Sequence, residues 1–358
     1  MSGHAPSGSV SFEPLVRRCL GARVVRVEPV APGLGTRRFY RLGLAGGDAA
    51  PGSVIARVDA PEDPTRRPSG VAPEPPLEPI RRFLEEAGLP VPARYGRDEA
   101  AGIELLEDVG DTSLEDVVRT ATGDERRRLY AEVARWVARL QALEPPATGV
   151  AAFERCLDDA QIAYKAERLI RWGLPELLGR APTEGEAKVV REGFARIADV
   201  VRSAPKRLAH RDLKAANIHV RPARSAGGPP EIALIDLQGA FLAPPEYDLV
   251  CLFHDAQVDL PLSEIDAQLA AARPLLPDAP CPDDFARRFH LLTLSRVGKD
   301  VSLFLYAARE LGDERYLGFV PRAVRILRGS AARAARLDPE LGELARLLGR
   351  LEDAPCGR

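Results

Sequence analysis

Three polar residues of the chain have the types and the spacing that phosphoryl transfer requires. Asp212 and Asn217 come before a short β-prone run, 218–220, and Asp236 ends a second apolar run, 232–235. A carboxylate beside an attacking hydroxyl can orient it and accept its proton. An amide oxygen and a second carboxylate can hold a Mg²⁺ ion that bridges nucleotide phosphates. The spacing therefore assigns Asp212 to the hydroxyl and predicts Asn217 and Asp236 as ligands of Mg²⁺.

A β-hairpin with a capping Asp and a turn Asn would give part of the same pattern. The string H-x-D-x-x-x-x-N does not separate the two explanations, but the further Asp at the end of a strand favours the chemical one. The combination resembles the catalytic and metal loops of the kinase superfamily. Within it, we expect His210 to brace the catalytic loop through its ring, and Asp248 to anchor the backbone of the metal loop.

The sequence after this stretch indicates a small acceptor molecule. The segment between Asp236 and Asp248 is too short for the activation segment on which a protein kinase docks a peptide, and it lacks Asp-Phe-Gly and Ala-Pro-Glu. The acceptor should therefore bind against the helical region that follows. Lys214, close to Asp212, could neutralise the transferred phosphate in catalysis, or it is a solvated loop lysine.

The sequence of the N-terminal part indicates two strands joined by a glycine-containing turn. The predicted strands, at 24–30 and 37–42, flank Gly33, Gly35 and Thr36. Backbone N–H groups of such a turn can cover nucleotide phosphates, which makes these three residues candidates for nucleotide binding. A plain hairpin turn also explains the two glycines.

Two further places are candidates for nucleotide contacts. Arg57, in a predicted strand at 54–59, occupies the place where a kinase strand usually carries a phosphate-binding lysine. It could grip phosphate oxygens or face outward from the sheet. Glu107, Asp108 and Val109 follow another apolar run, where a kinase hinge would offer backbone groups to an adenine edge. An acidic turn after a strand is equally consistent with these residues.

Length and composition are those of an ordinary globular protein with two lobes. The 358 residues exceed the usual size of one hydrophobic core, and 45% are hydrophobic and 28% charged. The net charge of −2 favours binding neither to nucleic acid nor to an anionic membrane. The five scattered cysteines argue against a disulfide framework and a zinc site. Without an apolar run for a membrane span or signal peptide, the expected location is cytoplasmic.

The order of the predicted elements gives the fold class, α+β with a bilobal protein-kinase-like fold. We expect residues 1–10 to be disordered, 11–110 to form an N-lobe, and 111–358 to form a larger, mainly helical C-lobe with the catalytic hairpin. The N-lobe should hold an antiparallel sheet with one or two helices, including a helix at 78–88 and a strand at 89–95. In the C-lobe, hydrophobic periodicity predicts helices over 113–121, 124–143, 154–172, 184–202, 246–257, 262–274, 283–311, 313–328 and 339–351.

Several blocks of sequence, in order over about residues 35–330, carry a closer resemblance. They are Arg37–Arg41, 54–61, Leu105–Asp111, Leu208–Asp212 with Asn217, Ile235–Ala240, Tyr247–Ala256, Arg296 with Lys299, and Arg315–Arg322. On these blocks the chain resembles the aminoglycoside-phosphotransferase-like small-molecule kinases. Within that family it is most similar to the N-acetylmuramate/N-acetylglucosamine anomeric sugar kinases of bacterial cell-wall recycling.

The resemblance implies ATP and Mg²⁺ as cofactors and phosphorylation of the C1 hydroxyl of an N-acetylated amino sugar. It also implies that the product passes to a sugar-1-phosphate nucleotidyltransferase. By this resemblance Asp212 is the base, and Asn217 and Asp236 are the metal ligands. Arg296 and Lys299, three positions apart on one helical face, would suit the lactyl carboxylate of N-acetylmuramate. A surface charge cluster explains that pair equally well.

Two other functions stay open. A kinase for another small hydroxyl substrate, such as an aminoglycoside, would share the chemistry, although antibiotic kinases favour an acidic pocket for their polycationic substrates. A catalytically inactive nucleotide-binding protein would keep the fold, but the intact Asp212, Asn217 and Asp236 argue against it. The sequence departs from the resembled family at 213–216 and at Leu237, which leaves the identity of the sugar open.

Overall fold

The protein is described by a computed structural model, in which the described residues form two compact units. The described residues are 11–30, 37–46, 50–59, 75–147, 149–221 and 230–353. One unit combines the described residues up to 59 with Pro90–Asp111, and the other combines those from 75 to Leu89 with the chain from Thr112 onward. The predicted disorder of residues 1–10 lies outside the described residues.

The first unit is an antiparallel five-stranded sheet with a helix on one face. Its elements are α1 (Glu13–Leu20), β1 (Arg23–Pro29), β2 (Arg38–Ala45), β3 (Ser53–Val58), β4 (Arg94–Asp98) and β5 (Ile103–Glu107). The strand order is β1-β2-β3-β5-β4. Because side chains alternate along a strand, Val54, Ala56 and Val58 pack in one core with Leu15 of α1, and Arg57 points to the opposite face.

The fourth strand begins later than the sequence predicts. A strand is expected over 89–95, whereas pairing with β5 begins at Arg94. Pro90 and Pro92 have no backbone N–H, so this stretch cannot donate the hydrogen bonds of a ladder.

The second unit is mainly helical and contains two short two-stranded sheets. Its helices are α2 (Leu77–Glu86), α3 (Leu114–Thr120), α4 (Gly123–Gln141), α5 (Asp159–Arg168), α6 (Leu174–Leu178), α7 (Glu184–Ser203), α8 (Tyr247–Phe253), α9 (Leu262–Ala272), α10 (Pro282–Glu310), α11 (Val320–Leu337) and α12 (Gly342–Gly349). Its strands are β6 (Arg207–Ala209), β7 (Ile218–Arg221), β8 (Glu231–Leu234) and β9 (Phe241–Ala243), and β6 pairs with β9 as β7 pairs with β8. This sheet-then-helices order confirms the predicted α+β class.

Helix α10 is the central element of the second unit. It spans 29 residues and packs against α5, α7, α8 and α11. Its buried residues include apolar side chains and also Arg296, which this helix carries into the region of Asp212. Across the described ranges, neither α10 nor any other helix is long and apolar enough to cross a membrane.

Several helices differ from the sequence-based expectation. Those predicted at 154–172 and 246–257 are shorter, since α5 begins at Asp159 and α8 ends at Phe253. The helix predicted at 78–88 falls within the expected N-lobe segment 11–110, but it belongs by its contacts to the second unit, where the rings of Phe83 and Phe153 meet edge to face at 5.5 Å. The helix predicted at 313–328 is replaced by a 3₁₀ turn followed by α11. Pro321 lacks a backbone N–H and therefore fits the first turn of a new helix, which begins at Val320.

Candidate active site

The hairpin formed by β7 and β8 brings Asn217 and Asp236 to the same end of two paired strands. Ile218 lies opposite Leu234, and the backbone N–H of Ile235 donates to the carbonyl oxygen of Asn217 at 3.0 Å. Asn217 therefore stands directly before β7, and Asp236 stands two residues after the end of β8. Antiparallel pairing aligns the start of one strand with the end of the other. A polar residue before the first apolar run and another after the second are therefore brought close together.

Asp212 is joined to this end of the hairpin through Asn217. The side-chain NH₂ of Asn217 donates to the backbone carbonyl of Asp212 at 2.8 Å, and it lies 3.4 Å from the Asp212 carboxylate. An amide used as a donor through its nitrogen keeps its oxygen for a metal ion. The three residues assigned to chemistry from their spacing are thus brought together.

His210 braces the catalytic loop, as predicted. Its Nε2 lies 2.9 Å from the carbonyl oxygen of Ile235, and its Nδ1 lies 3.4 Å from the backbone N–H of Asp212. A carbonyl oxygen can only accept, so Nε2 carries the proton and Nδ1 accepts. The ring therefore links the loop of Asp212 to the strand that leads into Asp236.

Asp248 anchors a backbone loop, although a different loop from the predicted one. Its two carboxylate oxygens accept from the backbone N–H groups of His210 at 2.7 Å and of Arg211 at 3.0 Å. These groups belong to the catalytic loop and not to the metal loop after Asp236. Arg211 has a left-handed backbone with φ of 79°, a conformation that costs free energy for a side chain with a Cβ. The buried carboxylate of Asp248 stabilises this turn.

Replacing Asp248 with Asn should destabilise the protein by about 1–3 kcal/mol and slow turnover. An amide offers one acceptor and one donor, so one backbone N–H of the loop would lose its acceptor inside the protein. Urea unfolding of the variant measures the effect. Asp266→Asn, at an ion pair between half-exposed side chains on α9 and α11, is the control and should change stability by less than about 0.5 kcal/mol. A change of that small size for Asp248→Asn would contradict the anchoring role.

Arg296 contacts the Asp212 carboxylate directly. One terminal nitrogen of its guanidinium donates to Asp212 Oδ1, and its Nε lies 3.0 Å from a carboxylate oxygen of Asp300. Lys299 ion-pairs with the same Asp300 at 2.7 Å. The two cations predicted to bind substrate therefore belong to one charge network with Asp212, and that network holds the Asp212 carboxylate in place.

The charges around Asp212 set its basicity. Burial alone would raise its pKa. Arg296, Lys214 and Lys299 act in the opposite direction and hold the pKa of Asp212 well below its ordinary value. The carboxylate is consequently ionised at neutral pH and is a weak base, suited to orienting a hydroxyl and accepting its proton late in the reaction.

Lys214 lies beside Asp212, and its predicted contact with the transferred phosphate remains a prediction. Its Nζ is 3.7 Å from an Asp212 oxygen, and about a third of its side chain is exposed. Burial lowers its pKa, but the Asp212 carboxylate outweighs burial, so the pKa of Lys214 is raised and the side chain is cationic. A partly exposed cation at this place is available to an incoming anion.

In the first unit, Arg57 is buried in a charge network within the sheet. It lies opposite Glu104 in the register of β3 and β5, and its guanidinium is 3.0 Å from the Glu104 carboxylate and 2.8 Å from that of Asp59. Arg94 contacts the other oxygen of Glu104 at 3.0 Å. Arg57 is therefore not an outward-facing, solvated residue, and its role toward phosphate remains a prediction.

The residues after β5 use their side chains inside the first unit. Asp108 accepts from Arg41 at 2.7 Å and from Ser53 at 2.7 Å, and a carboxylate oxygen of Glu107 accepts from the backbone N–H of Ala93. These contacts fix the segment that includes Val109. A contact with an adenine edge through backbone groups, as predicted here, is compatible with them. The predicted nucleotide contacts of Gly33, Gly35 and Thr36 fall outside the described residues.

The chemistry of the donors fits a magnesium ion. Asn217 and Asp236 offer an amide oxygen and carboxylate oxygens, the hard ligands that Mg²⁺ prefers, and few protein ligands are needed because water and phosphate complete its shell. Asp236 has a left-handed backbone with φ of 66°, and Gln238 donates to its carboxylate at 2.5 Å. Within the described ranges no cluster of three His, Cys, Asp or Glu residues could hold a metal by itself. This donor set fits Mg²⁺ rather than zinc.

Sequence reasoning missed two carboxylates of this site. Asp300 stands four residues after Arg296, a helical spacing that could have indicated the ion pair. Asp255 accepts from the backbone N–H of Ala215 at 2.9 Å and so supports the catalytic loop from the end of α8. Nothing in the local sequence distinguishes Asp255 from an ordinary helix-end residue, because its partner is distant along the chain.

The fold and the site define a class of protein. A five-stranded antiparallel sheet followed by a helical unit, with Asp212 before a hairpin and Asn217 and Asp236 at its ends, is the arrangement of a kinase-like phosphotransferase. The model of the phosphotransferase enzyme family matches residues 26–288, and the chain belongs to this family. The predicted membership and the predicted class of enzyme are thereby confirmed. Membership implies a nucleotide as the phosphoryl donor.

One relative is similar to the chain in sequence, and two solved structures are similar to it in fold. The chain is 30% identical to an N-acetylmuramate/N-acetylglucosamine kinase of Pseudomonas aeruginosa, over 90% of this chain and 88% of that protein. Its fold is similar to that of choline kinase LicA from Streptococcus pneumoniae, with a TM-score of 0.57, 17% identity and coverage of 90% and 98% of the two chains. It is similar to the same degree to APH(2″)-IIa in its complex with gentamicin, with a TM-score of 0.56, 14% identity and coverage of 94% and 99%. Since these two structures have different substrates in their names, the fold does not select the acceptor.

Proposed function

We propose that the protein transfers the γ-phosphoryl group of ATP to the anomeric C1 hydroxyl of N-acetylmuramate, N-acetylglucosamine or both. The observation that carries this proposal is the 30% identity, over nearly the whole length of both chains, to a relative named as a kinase of these two sugars. The site supports it, because the cations around Asp212 disfavour a polycationic acceptor and are compatible with a neutral or acidic sugar.

The weak basicity of Asp212 suits an anomeric hydroxyl. In the proposed reaction the C1 oxygen attacks the γ-phosphorus, the bond from phosphorus to the bridging oxygen of ADP breaks, and the hydroxyl proton goes to Asp212 and then to water. An anomeric hydroxyl is more acidic than an ordinary alcohol, so its proton can leave late, toward a carboxylate whose pKa is held down by Arg296. Arg296 donates to this carboxylate and is itself paired with Asp300, so the carboxylate is held in a fixed position.

Asn217 and Asp236 would hold the magnesium ion in this proposal. When bound, Mg²⁺ neutralises phosphate charge and orients the nucleotide. His210 keeps the loop of Asp212 in register with Asp236, so the hydroxyl and the phosphate would meet at a fixed separation. Lys214 would meet the transferred phosphate from the side of Asp212.

The finer parts of the proposal concern the nucleotide and the product. We infer that ATP contacts Gly33, Gly35 and Thr36, the side chain of Arg57, and backbone groups of 107–109. The product, a sugar 1-phosphate, is the substrate class of nucleotidyltransferases, and such an enzyme would consume it.

An aminoglycoside kinase is the nearest alternative. An aminoglycoside carries several ammonium groups, whereas the cations Arg296, Lys299 and Lys214 surround the acceptor carboxylate here. Like charges repel in a partly buried site, which disfavours a polycationic substrate.

A panel of acceptors tests the proposal. The protein with Mg-ATP is given N-acetylmuramate, N-acetylglucosamine, kanamycin or choline, and ADP release is followed by a coupled assay. We expect turnover of at least one of the two sugars, at a kcat/KM at least about a hundredfold above that for kanamycin or choline, a gap of some 2.7 kcal/mol. Consumption of kanamycin or choline without turnover of either sugar would contradict the proposal.

A further inference from the structure

Lys165 is a buried cation without a carboxylate partner. It lies on α5 with 8% of its surface exposed. Its Nζ is 3.5 Å from the hydroxyl of Tyr247 and 5.3 Å from the centre of the same ring. Within the described part of the chain, no carboxylate forms an ion pair with it. A lysine buried to this degree ordinarily has an acidic partner, because an unpaired charge inside a protein is costly.

The acidic side chains nearby are already used. Asp212 is shared between Arg296 and Lys214, and Asp300 is shared between Arg296 and Lys299. These two carboxylates serve three cations before Lys165 is considered. Lys165 is therefore the lysine of this region that has only a phenol for a partner.

The helix that carries Lys165 packs against the helix whose Arg296 holds the Asp212 carboxylate. These helices are α5 and α10, and α10 also carries Lys299. Burial, with repulsion from Arg296, Lys299 and Arg211, lowers the pKa of Lys165 to about 7. Its partner Tyr247 stands next to Asp248, whose carboxylate accepts from the backbone N–H groups of His210 and Arg211, directly before Asp212. An anion that entered beside Lys165 would stabilise its charged form.

We propose that Lys165 is a specificity-determining residue that binds the carboxylate of an acidic acceptor. This inference rests on the proposed function and goes beyond it. N-acetylmuramate is N-acetylglucosamine with an added lactyl ether, which ends in a carboxylate. Lys165 would supply the missing ion pair to that carboxylate and would contribute nothing to the neutral sugar. The cations predicted for this role, Arg296 and Lys299, already hold Asp212 and Asp300.

The test compares two sugars in Lys165→Met, a variant of similar length without charge. For N-acetylmuramate, kcat/KM should fall by about tenfold to a thousandfold, the effect of removing one partner of a buried charge pair. For N-acetylglucosamine it should stay within about threefold, because this sugar has no carboxylate, whereas a change in site geometry would alter both sugars equally. Lys188→Met removes an exposed lysine of α7 that pairs with Glu192, and it should change neither value.

A modified substrate separates recognition of the carboxylate from a structural role. With the unaltered protein, kcat/KM should be lower for the methyl ester of N-acetylmuramate than for the acid. The ratio should equal the loss of kcat/KM for the acid that Lys165→Met causes. The variant should not distinguish acid from ester. If Lys165→Met does not fold, Lys165→Gln, which keeps a polar group for the Tyr247 hydroxyl, serves in the same comparison.

The pH dependence gives a second readout. Below its pKa Lys165 is charged, and above it the charge is lost, so the preference for the acid over the neutral sugar should fall as pH rises above about 7. Tyr247 of α8 contacts Lys165, and the other charged or titratable groups that act on its pKa are Cys251 of α8, Arg296 and Lys299 of α10, and Arg211 of the catalytic loop. The ratio between the two sugars cancels their common effects on catalysis. Lys165→Met should show a flat ratio.

Several results would overturn the inference. An equal loss for both sugars in Lys165→Met would assign it a structural role, and an unchanged kcat/KM for N-acetylmuramate would remove it from recognition. Turnover of N-acetylglucosamine alone by the unaltered protein would end the inference and leave the proposed function standing. Turnover of neither sugar would end both.

Discussion

Replacing Asp212 with Asn should lower kcat by about 10³-fold, within the range of about 10²–10⁴ that a positioned base contributes. Asn keeps the shape of the side chain but cannot accept the hydroxyl proton. It also loses the charge that holds the guanidinium of Arg296. Steady-state kinetics with saturating sugar and Mg-ATP measure the loss. Binding of nucleotide, followed by titration calorimetry, should be retained because Asp212 is assigned to the acceptor hydroxyl.

The control for this substitution is Asp266→Asn, which makes the same chemical change in a partly exposed ion pair with Arg333. It should keep the rate of the unaltered protein. If Asp212→Asn also kept a rate within a few-fold of that value, Asp212 could not be the residue that orients the hydroxyl and accepts its proton.

Replacing Asp236 with Asn should lower kcat/KM for Mg-ATP by a factor on the order of 10³, the equivalent of several kcal/mol of metal-dependent stabilisation. The backbone of Asp236 is left-handed, with φ of 66°, and Asn tolerates that conformation well. The substitution therefore changes the charge of the ligand with little strain on the loop.

A magnesium titration identifies the cause of this loss. If Asp236 is a ligand, the variant should need a higher Mg²⁺ concentration for half-maximal rate, and its KM for the sugar should change little. Asp212→Asn should leave the Mg²⁺ dependence where it is, because its carboxylate is assigned to the acceptor. An unchanged Mg²⁺ dependence in Asp236→Asn would remove Asp236 from the metal site.

The parts of the site that lie on one hairpin could be predicted from the sequence. Asn217 and Asp236 flank two apolar runs, and antiparallel pairing necessarily brings such positions together. His210 and Asp212 are close to Asn217 along the chain, so local geometry fixes them as well. The order of strands and helices gave the α+β class for the same reason, since each element is encoded by a local period of apolar residues.

Contacts between distant segments could not be predicted in this way. The substrate-binding role of Arg296 stays a prediction, whereas its contact with Asp212, 84 residues away, is indicated by nothing in the local sequence. Lys165 sits on an amphipathic helix where a lysine is usually solvated, and its burial and its contact with Tyr247 of α8 arise from packing between distant segments. The phosphate-binding role expected of Arg57 depends likewise on its cross-strand partner Glu104, which the sequence of β3 does not reveal.

The position of the phosphate on the product tests the central claim most directly. After incubation of the protein with Mg-ATP and N-acetylglucosamine or N-acetylmuramate, ³¹P and ¹H NMR of the product show which sugar proton couples to phosphorus. Phosphorylation of the anomeric hydroxyl predicts coupling to the proton on C1 and loss of the exchange between the two anomers. Coupling to the protons on C6, or the absence of any phosphorylated sugar while ATP is bound, would contradict the claim.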